Sequence, residues 1–499
     1  MHLLSLHQDF VPTALGLLPV AVAFLLVVTS RRFPVFRSFL AWGCSTRTLV
    51  ITVATASLVM GGVCFALRYN TTEWNSFDEY FLRAIRMVRD GRFASGDLPG
   101  VLFPPGYSFL LMPAVLLLGV TRWTFFITNL ALLLGAAIGF RAILMKAGVA
   151  LRSANLFSLL VAVYPNHLFS LLTPMSDVPF SLAALLAFSF LMLYGIFPDR
   201  RVFLVASGLS AGAMCLIRGN GLMLLPALAL GFLLISAPTL WTRLFRGIAV
   251  VGLALLVILP WTIRNYGVTG KFIPVSANVG INIAIGNNPY QLTGWNRYVD
   301  SLCTTAGGPG SVINGEWNEA QRDSVLLHMG WSFIAGHPTA TAWLALTKVA
   351  SALKADTYSF GILSTYTNLP YLTLSRVVDE QLPAKANVAG HMVYQTMIRS
   401  AIVTTNLLYY LLLATGAGIL LRRDAMPRHM RGAVLVAVCA VALMIGLTFD
   451  QSRYKEPLST VLILVAAQSF IPPGRKRTSV VIPAHVMMPA EIPVTHQDA

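Results

Sequence analysis

"VFLVASGLSAGAMCLIRGNGLMLLPALALGFLLI" runs from Val202 to Ile235. Two apolar runs flank one charge, Arg218, beside Gly219 and Gly221. The pattern reads as two helices crossing hydrocarbon, turning back at a charged tip. Comparable runs of about 17–22 residues recur along the chain, the length that crosses ~30 Å of bilayer core. Of the 499 residues, 56% are hydrophobic and 11% charged, and the mean hydropathy is +0.70. Soluble domains lie nearer ~45–50% and ~25%. The chain is expected to be an all-α polytopic membrane protein.

The formal charge of +16 invites a nucleic-acid reading, but its placement argues against one. Basic residues gather between the spans: Arg31, Arg32, Arg37 and Arg47; Arg141, Lys146 and Arg152; Arg200 and Arg201; Arg243 and Arg246; and the stretches 422–431 and 474–477. That is the positive-inside pattern, which places these segments in the cytoplasm. The run from Val11 to Ser30 lacks a basic lead and a small-residue cleavage site, so it reads as a span rather than a signal peptide. The cysteines (44, 64, 215, 303 and 439) show no spacing that implies a disulfide framework or a zinc site.

Spans are then expected near 11–30, 48–67, 153–170, 178–197, 202–217, 220–237, 248–264, 401–421, 433–449 and 457–472. Between Pro104 and Met145 two apolar stretches must supply an odd number of crossings, so one of them enters the membrane without crossing it. About eleven net crossings result, with the N-terminus outside and the C-terminus inside. The organisation is two N-terminal spans (1–67), a first outer loop (68–103), a transmembrane core (104–264), a large outer region (265–400) with interfacial or re-entrant helices, C-terminal spans (401–472) and a disordered cytoplasmic tail (473–499).

The polar constellations all fall on the expected outer face. In "NSFDEYFLRAIRMVRDGRF" (75–93), Phe77, Tyr80, Phe81, Ala84, Ile85 and Val88 form an apolar stripe at helical spacing. Such a helix is expected to lie on the membrane interface, with Arg83, Arg86 and Arg89 turned to solvent or headgroups. Asp78 and Glu79 open it, where the helix dipole favours carboxylates, and Gly91 suits a left-handed stop. "FPPGY" (103–107) follows. Asp177, in "LLTPMSDVPF" (171–180), either caps the next span with Ser176 or serves a site beside Asn166 and His167. Arg218, Arg264, and Arg453 with Lys455 each stand at an outward helix end, against the positive-inside trend. Convergent guanidinium and ammonium groups beside a membrane suit a phosphate. The stretch 276–298, rich in Gly, Asn and aromatics, is either turn-dense or a sugar-binding surface.

These marks occur in an order that resembles the GT-C superfamily of integral-membrane glycosyltransferases. That clan includes protein O-mannosyltransferases and bacterial lipid A aminoarabinose transferases. The chain is most similar to the bacterial dolichyl-phosphate-mannose-protein mannosyltransferase-like group. The carriers are "FDEY", "FPPGYSFLLMP", "YPNHLFSLLTPMSDVPF", "GLSAGAMCLIRGNGL", "PWTIRNYGVTGKFIPVSANVGINIAIGNNP", "HPTATAWLALTKV" and "SRYKEP", spanning roughly residues 70–460. The resemblance implies an inverting transferase in a bacterial inner membrane, active on its outer side. It would move a sugar from a polyprenyl-phosphate-linked donor to a hydroxyl of a lipid, glycan or protein. It also implies that Asp78 or Glu79 is the general base, with Asp177 orienting acceptor or sugar. Arg218, Arg264, Arg453 and Lys455 would then hold the donor phosphate. Tyr80, Tyr107, His167, Asn265, Asn282, Asn287 and Asn288 are the candidate substrate contacts. The acid-to-tyrosine spacing is shorter than the family's usual three or four residues.

No metal ligand set has diagnostic spacing, although the acids and His328, His337 and His391 leave a divalent cation open. Walker, GxGxxG and HExxH patterns are lacking, which excludes nucleotide-loop and metalloprotease readings. The rival readings are an O-antigen ligase or polymerase, which would not require the early acids and FPPGY, and a secondary transporter. A transporter's ionisable groups usually sit near the bilayer midplane, whereas here they cluster at the outer helix ends.

Overall fold

A computed structural model describes residues 44–66, 79–95, 98–288, 319–352, 404, 407–420, 426–448 and 452–471. The expected span at 11–30, Asp78, residues 289–298 of the Gly/Asn stretch and the tail lie outside the described residues, as does the side chain of Arg453.

The chain is an all-α polytopic membrane protein. In order, the described helices are α1 (Thr46–Ala66), α2 (Glu79–Asp90), α3 (Gly106–Leu118), α4 (Arg122–Lys146), α5 (Leu151–Val163), α6 (Pro165–Ser170), α7 (Asp177–Ile196), α8 (Val202–Ile217), α9 (Leu225–Leu234), α10 (Leu240–Thr269), α11 (Val279–Gly286), α12 (Glu319–Gly336), α13 (Pro338–Ala352), α14 (Leu407–Leu420), α15 (Arg428–Leu447) and α16 (Glu456–Gln468). A two-residue antiparallel ladder, Ala94–Ser95 with Leu98–Pro99, closes the loop after α2. Among the described residues, five helices are long and apolar enough to cross a membrane: α1, α4, α7, α10 and α15. The thirty residues of α10 reach about 45 Å at 1.5 Å per residue, more than the ~30 Å apolar core. One end therefore extends beyond it, and the last turns carry Trp261, Arg264 and Asn265.

Helix α7 is the centre of the bundle. It packs against α4, α8, α9 and α16, and sixteen of its twenty residues are buried. A helix apolar all round belongs in such a position. The contacts sort the connecting segments into two sets. Cys44 N–H donates to Arg152 O at 3.0 Å, Arg141 to Asn155 at 2.6 Å, and Lys146 stands over Phe203 at 5.6 Å. These belong to the segments expected in the cytoplasm. At the other end, Gly106 lies against Leu216 and Ile217, Arg264 reaches Gly100 and Lys348 reaches Thr448. Both ends of α3 lie at this second end, since Arg122, just after it, stands over Phe65 at the end of α1. At 13 residues, α3 is only about 20 Å long, shorter than the ~30 Å apolar core.

Helix α2 differs from its expectation in one respect. Tyr80, Phe81, Ala84 and Ile85 are buried as the stripe requires, but they pack on protein rather than on lipid. The Phe81 ring meets Phe125 edge-on at 5.8 Å. Arg83, expected to face solvent or headgroups, is fully buried on the same side. The helix stops at Gly91, whose φ is +64°.

Candidate active site

The site forms where α2, α3, α7, α8 and the turn before α16 meet. Gly106 makes the first approach possible: a Cβ there would lie 2.7 Å from the Ile217 nitrogen, closer than side-chain carbons come. The Pro-Pro-Gly turn thus seats directly on the last turn of α8, one residue before Arg218. Tyr107 follows, fully buried, and donates its hydroxyl hydrogen to Asn129 Oδ1 at 2.8 Å. Asn129 donates in turn to Ser170 O at 3.2 Å and Thr173 O at 3.1 Å. This relay fixes the loop that leads into Asp177.

Asp177 opens α7 and is 3% exposed. Ser176 makes no side-chain cap bond there, so a plain capping role for that serine is not what the geometry shows. Asp177 Oδ1 instead accepts from Arg218 Nη1. The Arg218 guanidinium lies over Tyr454 at 5.5 Å and Phe180 at 5.9 Å. Burial opposes its charge, but Asp177 together with Tyr80 and Tyr454 more than offsets that, so Arg218 holds its proton above the ordinary arginine range. Tyr80 meets Tyr107 edge-on at 5.6 Å and Phe103 at 5.2 Å, and Ser108 donates to Tyr80 O at 2.9 Å. Asp177, Arg218, Tyr80, Tyr107 and Tyr454 therefore form one cluster assembled from distant parts of the chain.

Other expected site residues lie elsewhere. Arg264 donates to Gly100 O at 2.6 Å, Phe93 O at 2.7 Å and Asn265 Oδ1 at 3.1 Å. Its guanidinium is held by the first loop's backbone carbonyls. Asn265 is likewise internal, donating to Ile273 O at 3.1 Å and Val275 O at 3.2 Å. His167 is fully buried, with Nδ1 2.9 Å from Val161 O. Asn287 binds Ile283 O and Leu447 O at 2.9 and 2.7 Å, and Asn288 binds Ile285 O at 2.9 Å. Asn287 ties α11 to the end of α15, as Lys348 does by donating to Gly286 O at 3.0 Å and Thr448 O at 2.7 Å. Asn282 is half-buried on α11. Lys455 is buried, its Nζ 4.7 Å from the Tyr409 ring centre. Glu79 is 3.4 Å from Arg83. Among the described residues, no three His, Cys, Asp or Glu side chains converge on a metal position.

Three residues of this region carried no assignment in the sequence. Asn129 is a lone amide inside the apolar α4, a signal that intramembrane polar groups usually carry meaning. Tyr454 sits between two residues singled out for their charge. Glu319 gave no signal at all.

No protein-family model matches the chain, and no curated protein matches it. Among solved structures, it is similar to the oligosaccharyltransferase of Archaeoglobus fulgidus in its apo form, at TM-score 0.44 and 12% identity over 85% of this chain and 50% of that one. The chain thus spans about half the length of that enzyme. It is also similar to ArnT from Cupriavidus metallidurans in the apo state, at TM-score 0.38 and 15% identity over 85% of this chain and 78% of that one, and to the same protein bound to undecaprenyl phosphate at TM-score 0.39.

Proposed function

We propose that the chain is an inverting GT-C-type glycosyltransferase that moves a sugar from a polyprenyl-phosphate-linked donor to an acceptor hydroxyl on the non-cytoplasmic face. One observation carries the reading: the buried Asp177–Arg218 pair, walled by Tyr80, Tyr107 and Tyr454 at a common end of the helices. Five of the sequence marks support it, those that hold Tyr80, Tyr107, Asp177, Arg218 and Tyr454.

The chemistry follows from where charge develops. The acceptor oxygen bonds to the anomeric carbon as the bond from that carbon to the phosphate oxygen breaks. The lipid phosphate leaves with the electron pair, and the acceptor proton passes to a carboxylate. Arg218, held in a water-poor site, is a preorganised cation for the leaving phosphate, a role typically worth ~10²–10³-fold in rate. Asp177 keeps that guanidinium ionised and aimed. Glu79 is engaged by Arg83, so we assign proton acceptance to Asp78, a contribution of ~10²–10⁴-fold.

Asp78→Asn, Glu79→Gln and Asp177→Asn, each in folded, purified protein, test this through sugar release from undecaprenyl-phosphate-linked hexoses and pentoses. Asp78→Asn and Asp177→Asn should slow release and Glu79→Gln should affect it least. Parental rates in all three would sink the mechanism. Donor uptake into proteoliposomes without sugar release would favour the transporter reading.

A further inference from the structure

We propose that Glu319 is a positioning residue for the transfer step, acting through Arg83 and the backbone of residues 101–102. This inference rests on the function proposed above. Glu319 begins α12, more than two hundred residues beyond the elements it holds. Its carboxylate is 5% exposed. Oε2 accepts from the Val101 and Leu102 amides, at 2.5 and 2.6 Å. Oε1 accepts from Arg83 Nη2 at 3.1 Å. One carboxylate therefore ties α2 to the segment that leads into the Pro-Pro-Gly turn.

Each contact leads towards the site. Arg83 lies one turn beyond Glu79 and Tyr80 on α2, and its guanidinium stands over both Phe93 and Phe103 at 5.1 Å. Phe103 touches Tyr80 and begins the turn that delivers Tyr107. The amides of Val101 and Leu102 immediately precede Phe103. On the far side, Val101 O accepts from Ala277 N at 2.7 Å. The loop is thus fixed from both sides, and the Glu319 carboxylate meets Arg83 at 3.1 Å, alongside Glu79 at 3.4 Å. A carboxylate that binds two backbone amides and a buried arginine restrains position well, because charge-assisted hydrogen bonds are short and strong. It touches neither Asp177 nor Arg218, so its effect on chemistry is indirect.

Glu319→Gln and Glu319→Ala in the full chain provide the test. Gln keeps an acceptor oxygen for the loop amides but loses the charge that pairs with Arg83. Loss of alignment slows transfer without weakening donor capture, so Ala should lower kcat about 100-fold, with donor KM changed less than about 2-fold. Gln should fall between Ala and the parent. Hydrogen exchange should quicken at Val101 and Leu102 in Ala, and less in Gln. Equal thermal loss in both variants with parental kcat per folded molecule, or parental exchange at 101–102, would overturn the positioning role. Absence of sugar release by the parent chain overturns the function reading and the role together. If Ala fails to fold, the graded Gln result decides the matter alone.

Discussion

Arg218 and Arg264 look alike in sequence, each standing at the outward end of an apolar helix, yet the fold treats them differently. Arg264 reaches two backbone carbonyls, a neighbouring amide oxygen and the faces of Phe93 and Trp261. Those contacts anchor a loop. The Arg218 side chain, among the described residues, hydrogen-bonds only Asp177 and otherwise lies over aromatic rings. A guanidinium has five donors, and a single carboxylate leaves some of them for an incoming anion. The same difference separates two acid–base pairs. Arg83–Glu319 is buried and closed by backbone amides, whereas Asp177–Arg218 opens onto tyrosines.

The comparison can be broken first at the architectural pair. Arg83→Met leaves Glu319 buried without its counter-charge and should cost about 3–5 kcal/mol of stability. Adding Glu319→Gln should return part of that, because the uncompensated charge is gone. Thermal or chaotrope unfolding in detergent checks both, and a double variant no more stable than the single one would contradict an ion-pair role. At the site pair the effect belongs in the rate. Arg218→Ala should slow sugar release by ~10²–10³-fold, and Arg218→Lys should recover only part, since an ammonium lacks the planar fork. Arg264→Ala should instead lower stability while leaving the rate per folded molecule far closer to the parent's. Equal rate losses at the two positions would erase the distinction.

Smaller effects sharpen it. Gly106→Ala drives a Cβ into the end of α8 and should cost about 1–3 kcal/mol by overpacking, with a rate loss through the displaced Tyr107. Gly91→Ala, at a left-handed position with open space around it, should cost about 1 kcal/mol and leave the rate unchanged. Melting curves paired with initial rates separate the two glycines.

The readable part of this region was the part written in local charge and spacing. Asp177 and Arg218 stood out because an ionised group at the end of an apolar run is costly unless something uses it. Their pairing with each other was not readable, since forty-one residues separate them. The α2 stripe was readable from its period, but the identity of its cover was not. Lipid and protein both accept Tyr80, Phe81 and Ile85, and only a protein partner such as Glu319 can accept Arg83. The carbonyl partners of Arg264 and Asn265 were unreadable for the same reason: a polar side chain in sequence does not declare whether its partner is a ligand or a carbonyl.

What the sequence by itself determined was the class: an all-α chain in a bilayer, with charged tips gathered at one end of its helices. Hydrocarbon imposes that outcome, because segments this apolar satisfy their backbone groups only as helices there. The tertiary structure alone decided which tips meet. Hydrogen bonds and ion pairs are short-ranged and directional, so a few ångströms of helix placement turned Arg218 towards Asp177 and Arg264 towards the loop.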